Sequence, residues 1–415
     1  MNKEFYRENR ATLYGSVEKN SLVIVFAGRA PKRSNDENYE FYANRNFLYL
    51  TNIEQENTVL MTAVLEEGVD EFLYILPPDA MAERWTGRRL KPDEIEELSG
   101  ISRTKYLDTF MNSLWLYLRT KGIERIYLDF DKLEDQEADT ESYRLARYLQ
   151  KEFPFIQIKN LQDQLRRQRT IKKPCEIEAL RKAEEITGEA IIAMMKASRP
   201  GMYEYQYKAE FDYVLAQHGV LMSGFPSIIS CGENNFCIHY YDYRGQAKDG
   251  DMILNDVGAR WEHEINDVSR GWPCNGKFTE KQKLLYQCAY NTSEHMFQIL
   301  KPGIPMQDVD KMIREYCYEQ LHAAGVCDSY DEIGTYMWHG GAHHIGFDVH
   351  DVVSRNIKTA PGMVFCVDVG IYHEEWGIGF RLEDNCLITE NGCENLSAAI
   401  PRTIEEIETI MKKED

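Results

Sequence analysis

Four acidic residues stand inside apolar, β-rich runs in the second half of this 415-residue chain, and that placement limits how the chain can fold. Asp256 lies in Met252-Ile253-Leu254-Asn255-Asp256-Val257-Gly258, and Asp267 in Ile265-Asn266-Asp267-Val268-Ser269. Asp368 lies in Phe365-Cys366-Val367-Asp368-Val369-Gly370, and Glu383 in Phe380-Arg381-Leu382-Glu383-Asp384. A single acid in a strand usually faces solvent. Four of them in one domain are harder to place that way, because burying unpaired carboxylates is costly. A cation offsets the cost. Four carboxylates and one imidazole make an oxygen-rich site suited to manganese, cobalt or a similar divalent ion, with enough ligands for two.

The interval between Asp256 and Asp267 reads as a hairpin turning near residues 259–262, which brings both acids to neighbouring strands. Histidines gather in the same half: His339 and His343 flank Gly340, Gly341 and Ala342, and His350 precedes Asp351. The half also reads as an internal duplication. Helical sequence over 185–197 ends at Arg199-Pro200-Gly201, and a second helix runs to His218-Gly219. The order returns with 292–300, Lys301-Pro302-Gly303 and a helix to Ala324-Gly325, each helix pair being followed by β-rich sequence. Such a repeat predicts a two-halved α+β domain with its active site between the halves.

Other chemistries find less support. Gly271 and Gly276-Lys277 are spaced as in a phosphate loop, but Phe278 stands where Ser or Thr must hold magnesium and Pro273 interrupts the loop. His263-Glu264 lacks the second histidine of a zinc-binding H-E-x-x-H helix, and no G-x-S-x-G elbow is present. With 48 basic against 68 acidic residues the formal charge is −20, which argues against nucleic acid as a partner. The densest basic run, Arg166 to Lys173, reads as a solvated linker. The first 16 residues lack the apolar core of a signal peptide, and Leu22 to Phe26 is far too short to span a membrane. Ten cysteines, irregularly spaced and without a C-x-x-C pair, read as reduced thiols, so the expected location is cytoplasmic. In the first half, β-rich runs at 21–27, 71–76 and 125–130 alternate with helical segments at 92–98 and 141–151, which predicts an α/β domain. The expected organisation is an N-terminal domain over 1–165 and a second domain over 166–415.

The order Asp256, Asp267, His343, Asp368, Glu383, with its flanks, resembles the pita-bread metallopeptidases of family M24: aminopeptidase P, prolidase and methionine aminopeptidase. Matching flanks include Ile238-His239-Tyr240, Asn275-Gly276-Lys277-Phe278-Thr279, Gly346-Phe347-Asp348-Val349-His350-Asp351, Pro361-Gly362-Met363-Val364 and Gly377-Ile378-Gly379-Phe380-Arg381. Phe41 to Thr51 resembles the family's additional N-terminal domain, so the likeness covers nearly the whole chain and favours aminopeptidase P or prolidase.

The resemblance implies an α/β domain of aminopeptidase P type followed by a pita-bread α+β domain with a pseudo-twofold repeat. It implies removal of the N-terminal residue from peptides with proline second, by a hydroxide held between two divalent ions: Mn2+ first, Co2+ or Zn2+ as alternatives. Asp256 would chelate one metal, Asp267 and Glu383 would bridge, and His343 with Asp368 would complete the other. His350 would donate to the developing oxyanion, His239 would sit near the scissile nitrogen, and His339 would shape the proline side. Arg381 would orient the carboxylates. A homo-oligomer, dimer or tetramer, is implied as well.

The chain departs from the family where Glu-Pro-Gly is usual and Asp368-Val369-Gly370 stands instead, a loss of about 1.5 Å of reach. Ala342, His344 and Asn255 are further departures. Two other readings therefore stay open: a prolidase confined to dipeptides, and a non-catalytic binding protein with a degenerate metal site.

Overall fold

In a computed structural model, residues 1–412 are described and the chain divides into two compact units, 1–168 and 169–415, each described by itself. The first unit is a mixed six-stranded sheet with helices. Its strands are β1 (Ser21–Phe26), β2 (Val59–Val64), β3 (Val69–Ile75), β4 (Thr104–Tyr106), β5 (Arg125–Leu128) and β6 (Gln157–Asn160), in the order β4-β3-β2-β1-β5-β6. β1 and β2 read as unbroken apolar runs because nearly every residue of both is buried, as in a sheet covered on two faces. The helices are α1 (Lys3–Ser16), α2 (Arg45–Thr51), α3 (Ala80–Thr86), α4 (Pro92–Ser99), α5 (Phe110–Thr120) and α6 (Glu141–Glu152); α7 (Gln162–Thr170) begins here, and its last two residues belong to the second unit. Leu114 and Leu118 of α5 and Leu145 and Leu149 of α6 pack with Leu22, Ile24, Ile126 and Leu128 of the strands. This is the α/β arrangement that the alternation predicts.

The second unit repeats one motif. Helices α8 (Pro174–Ala197) and α9 (Glu204–Gln217) precede β7 (Ile228–Cys231), β8 (Met252–Val257), β9 (Arg260–Trp261), β10 (Glu264–Ile265) and β11 (Val268–Pro273). Helices α10 (Glu280–Ile299) and α11 (Met306–Ala323) precede β12 (Val364–His373), β13 (Ile378–Ile388) and β14 (Cys393–Asn395), and α12 (Ile404–Met411) ends the fold. Lys173 precedes Pro174, whose fixed φ suits a first helical turn, and Glu176 accepts from the Lys173 amide. The sheet runs β12-β13-β11-β8-β7, with β14 beside β13, so the hairpins of the two halves meet edge to edge at β11 and β13.

The basic run before α8 is not a solvated linker. Residues to Thr170 continue α7, and the side chains of Arg169 and Lys172 are each only 2% exposed. Lys172 Nζ donates to Asp351 Oδ2 at 2.6 Å, and Arg169 Nη2 donates to both Asp351 and Asp348. Charge alone signals solvent, but partners far along the chain override it.

Candidate active site

The acids form a row across the second sheet. Asp256 on β8 faces Ser269 on β11, Ser269 faces Glu383 on β13, and Glu383 faces Asp368 on β12. Directly paired residues present their side chains on one face of a sheet, so the carboxyl groups converge. Ser269 Oγ donates to Glu383 Oε2 at 2.8 Å. Asn255, the polar residue beside Asp256, is buried and donates to Arg270 O at 2.7 Å.

Asp267 arrives differently from the expected strand position. The hairpin tip is at Glu262 and His263, with φ of 46° and 77°, and Asp267 lies in the break between β10 and β11, one residue ahead of β11. The two backbones close tightly at this break: a Cβ on Gly258 would lie 1.8 Å from Asn266 O. Asn385, two residues beyond Glu383 on β13, pins the acid, its Oδ1 accepting from Asp267 N at 3.0 Å and its Nδ2 donating to Asp267 O.

His343 is carried along the edge of β12, where Cys366 N donates to His343 O and Asp368 N to Gly341 O, each at 2.8 Å. Its Nε2 stands 3.6 Å from Asp267 Oδ2 and 3.5 Å from Glu383 Oε1. The sequence reasoning missed Cys366. Ligand atoms of Asp267, His343, Cys366 and Glu383 all lie within 4.8 Å of one another. The signal was the period of two in a strand, which puts Cys366 on the same face as Asp368.

Each of the four acids keeps one buried oxygen without a hydrogen-bond partner: Asp256 Oδ1, Asp267 Oδ1, Asp368 Oδ1 and Glu383 Oε1. Burial, followed by repulsion from neighbouring carboxylates, pushes Asp267 well above the usual carboxylate range. Burial and Glu383 do the same to Asp368, and burial raises Asp256 against the pull of Arg381. Burial opposes ionisation of Glu383 too, but His343, Cys366 and Ser269 bring it down to about 2. Convergent orphaned oxygens of this kind fit a divalent cation, which would satisfy them and neutralise their repulsion.

The remaining predicted residues surround the row. His339 Nδ1 is 2.9 Å from Gly340 O and 3.2 Å from Asp368 Oδ2, and its Nε2 is 3.0 Å from the Tyr372 hydroxyl. Burial and Arg381 lower its pKa to about 4, so the ring is neutral near pH 7. Gly370 makes room for it, since a Cβ there would lie 2.4 Å from His339 Nε2. The rings of His350 and His343 are 4.3 Å apart, and burial, then His343, lower the His350 pKa. Arg381 is 3% exposed; it sits 3.5 Å from Asp256 Oδ2 and donates to Ile238 O at 2.7 Å, tying the His239 loop to the acid row. His239 itself is exposed and stacks on Tyr241. No helix among the described residues is long and apolar enough to cross a membrane.

Residues 178–390 match Metallopeptidase family M24, and residues 6–127 match the Aminopeptidase P, N-terminal domain. The chain is 29% identical to an Xaa-Pro aminopeptidase of Escherichia coli, over 99% of this chain and 98% of that one. It is 26% identical to Xaa-Pro aminopeptidase 3 of Homo sapiens, over 95% and 82% respectively. A Bacillus anthracis protein solved as a candidate aminopeptidase P superimposes with a TM-score of 0.96 at 33% identity, covering 99% of this chain and 98% of that one. Aminopeptidase P of E. coli with the inhibitor Pro-Leu superimposes at 0.90 with 28% identity, over 99% and 98%. An acid row that asks for cations, on a fold shared from end to end with these proteins, makes this chain a metal-dependent hydrolase that belongs to metallopeptidase family M24.

Proposed function

We propose that the chain is an Xaa-Pro aminopeptidase, releasing the first residue of peptides with proline in second position. The observation that carries the reading is the convergence of four buried carboxylates, each with an orphaned oxygen, beside His343. Asp256, Asp267 and Glu383 would hold one divalent ion, and Asp267, Glu383 and His343 the second, with Asp368 beside it. Bound divalent ions lower the pKa of water and polarise a carbonyl. Manganese suits the all-oxygen position.

The residues around the row have roles of their own. His350 presents an imidazole next to His343 and would donate to the oxygen of the carbonyl under attack. Neutral His339 donates its Nδ1 proton to Gly340 O and accepts from the Tyr372 hydroxyl at Nε2, which fixes its ring 3.2 Å from Asp368 Oδ2. Exposed His239 would meet the scissile nitrogen, on a loop that Arg381 keeps in register with Asp256. Ten unpaired cysteines support a cytoplasmic setting, and a homo-oligomer rests on the resemblance alone.

The test is hydrolysis of an Xaa-Pro-Yaa tripeptide and an Xaa-Pro dipeptide by metal-stripped protein with and without Mn2+, Co2+ or Zn2+. Metal-restored release of the first residue from the tripeptide is expected. Cleavage of the dipeptide alone would replace the reading with a prolidase. Failure on both with every ion would point to a binding protein.

A further inference from the structure

The geometry points to Cys366 as a fourth ligand of the metal held by His343, which makes the two metal positions chemically unequal. The inference rests on the metallopeptidase reading above and concerns which donors this chain brings to it.

Cys366 and Asp368 share a face of β12, yet only the cysteine enters the tight donor cluster. Its Sγ lies within 4.8 Å of ligand atoms of Asp267, His343 and Glu383, while Asp368 Oδ2 is directed to His339 Nδ1 at 3.2 Å. A four-coordinate zinc site with bonds of about 2.0–2.3 Å has its donors about 3.3–3.8 Å apart, so the cluster needs to contract by only about an ångström. Asp267 Oδ1 and Glu383 Oε1 are buried and unpartnered within it, which is an independent sign that a cation belongs there. The sulfur is fully buried; Asn385 Nδ2 donates to it at a long 3.4 Å, and its S–H is directed to the Glu383 carboxylate, a hydrogen bond it would give up on binding a metal. The other hydrogen of that amide nitrogen goes to Asp267 O.

The chemistry follows from the donor types. Aspartate, glutamate, imidazole and thiolate together form a softer set than carboxylates and imidazole alone, and soft sulfur favours zinc or cobalt over manganese. Ligation exchanges the S–H proton, which leaves to solvent, for a metal–sulfur bond. The Asp256 side retains only oxygen donors and keeps its preference for a hard ion. The short side chain of Asp368 is thereby compensated by the residue two positions before it.

The experiment uses the full-length protein, stripped of metal and reloaded with Co2+. A sulfur-to-cobalt charge-transfer band in the near ultraviolet is expected and should vanish in Cys366→Ser. Competition with a chromophoric chelator should show zinc affinity falling by at least roughly 10–100-fold in that variant, with manganese affinity nearly unchanged. Asp368→Glu should weaken the band by returning a carboxylate to the position. X-ray absorption at the zinc edge of the unmutated protein reads sulfur scattering without any variant, should Cys366→Ser fail to fold. Bound cobalt without the band, a band that survives Cys366→Ser, or zinc without sulfur scattering would each overturn the assignment, leaving Cys366 as a partner that only orients Glu383. Peptidase assays separate the two claims: an inert protein with an intact band would sink the function and leave the ligand standing, and an active protein without the band would do the reverse.

Discussion

Two sets of buried acids in the catalytic unit contrast sharply. Asp351 accepts from Arg169, Lys172 and the Val352 amide, and Asp384 accepts from Arg270 at 2.7 Å and pairs with Arg402 at 2.9 Å. Asp256, Asp267, Asp368 and Glu383, in the same sheet and its loops, each keep an orphaned oxygen. In the first set cations supplied by the chain neutralise the charge, so the arrangement is complete once the chain folds. In the second, the chain brings negative charge together and leaves the neutralising cation to come from outside. Paired buried acids hold elements in place; an orphaned oxygen marks a cation site only where several converge, as here beside His343, and not at Glu184 or Glu264, whose unpartnered oxygens lie outside the cluster.

Removing one acid from each set should break the molecule differently. Glu383→Ala should lower kcat/KM for an Xaa-Pro-Yaa tripeptide by about 10³-fold or more, since several kcal/mol of charge stabilisation go with the ligand. It should cost the metal-free protein less stability than the loss of a salt-bridged acid, because Glu383 gives up hydrogen bonds from Ser269 and His343 but strands no buried cation that depends on it. Asp351→Ala should instead cost about 3–5 kcal/mol of unfolding free energy, read by urea titration, because buried Lys172 loses its carboxylate and buried Arg169 loses one of its two. If the two variants are equally destabilised, the contrast between the sets fails.

Metal addition sharpens the comparison. At an ion concentration about 100 times its Kd, the native protein should gain about 2.7 kcal/mol of stability. Asp351→Ala should keep that increment and Glu383→Ala should lose it, as a thermal-shift series would show.

The smallest expected effect is one of pH, on metal-free protein. Asp267 and Asp368 are raised above their ordinary range, so the stability they contribute is present below about pH 4 and is lost as pH rises through their folded values. Asp351 is lowered by Arg169 and Lys172 against the cost of burial, so its contribution is present above about pH 4 and lost as pH falls through its folded value. Asp267→Asn with Asp368→Asn should flatten the loss toward higher pH, while Asp351→Asn should flatten the loss toward lower pH. Each group accounts for at most about 1.4 kcal/mol per pH unit. Unfolding curves across pH that respond alike to both changes would remove the distinction.

Much of the site was legible because strands have a period of two and apolar runs are conspicuous. The acids at 256, 368 and 383 could be placed in strands, and the repeated helix pairs implied halves that meet. Less could be said of Asp267, whose place depends on a break closed by Gly258 and on the amide of Asn385, more than a hundred residues away. Arg169 and Lys172 were misread because local charge says nothing of a partner at residue 351. Cys366 stands two residues before Asp368 in the same apolar run, a spacing that sets both side chains on one face of the strand.

What the sequence by itself determined was the inventory: which strands could hold acids, where helices stop, and that unpaired carboxylates in apolar runs require a cation. Those are local properties, set by side-chain chemistry and backbone periodicity. Only the tertiary structure decided register, and with it the row of Asp256, Ser269, Glu383 and Asp368 drawn from both halves of the unit. Register is a relation between segments distant in the chain. A shift of one residue at β11 and β13 would send the two halves' acids to opposite faces, with each segment's own sequence unchanged.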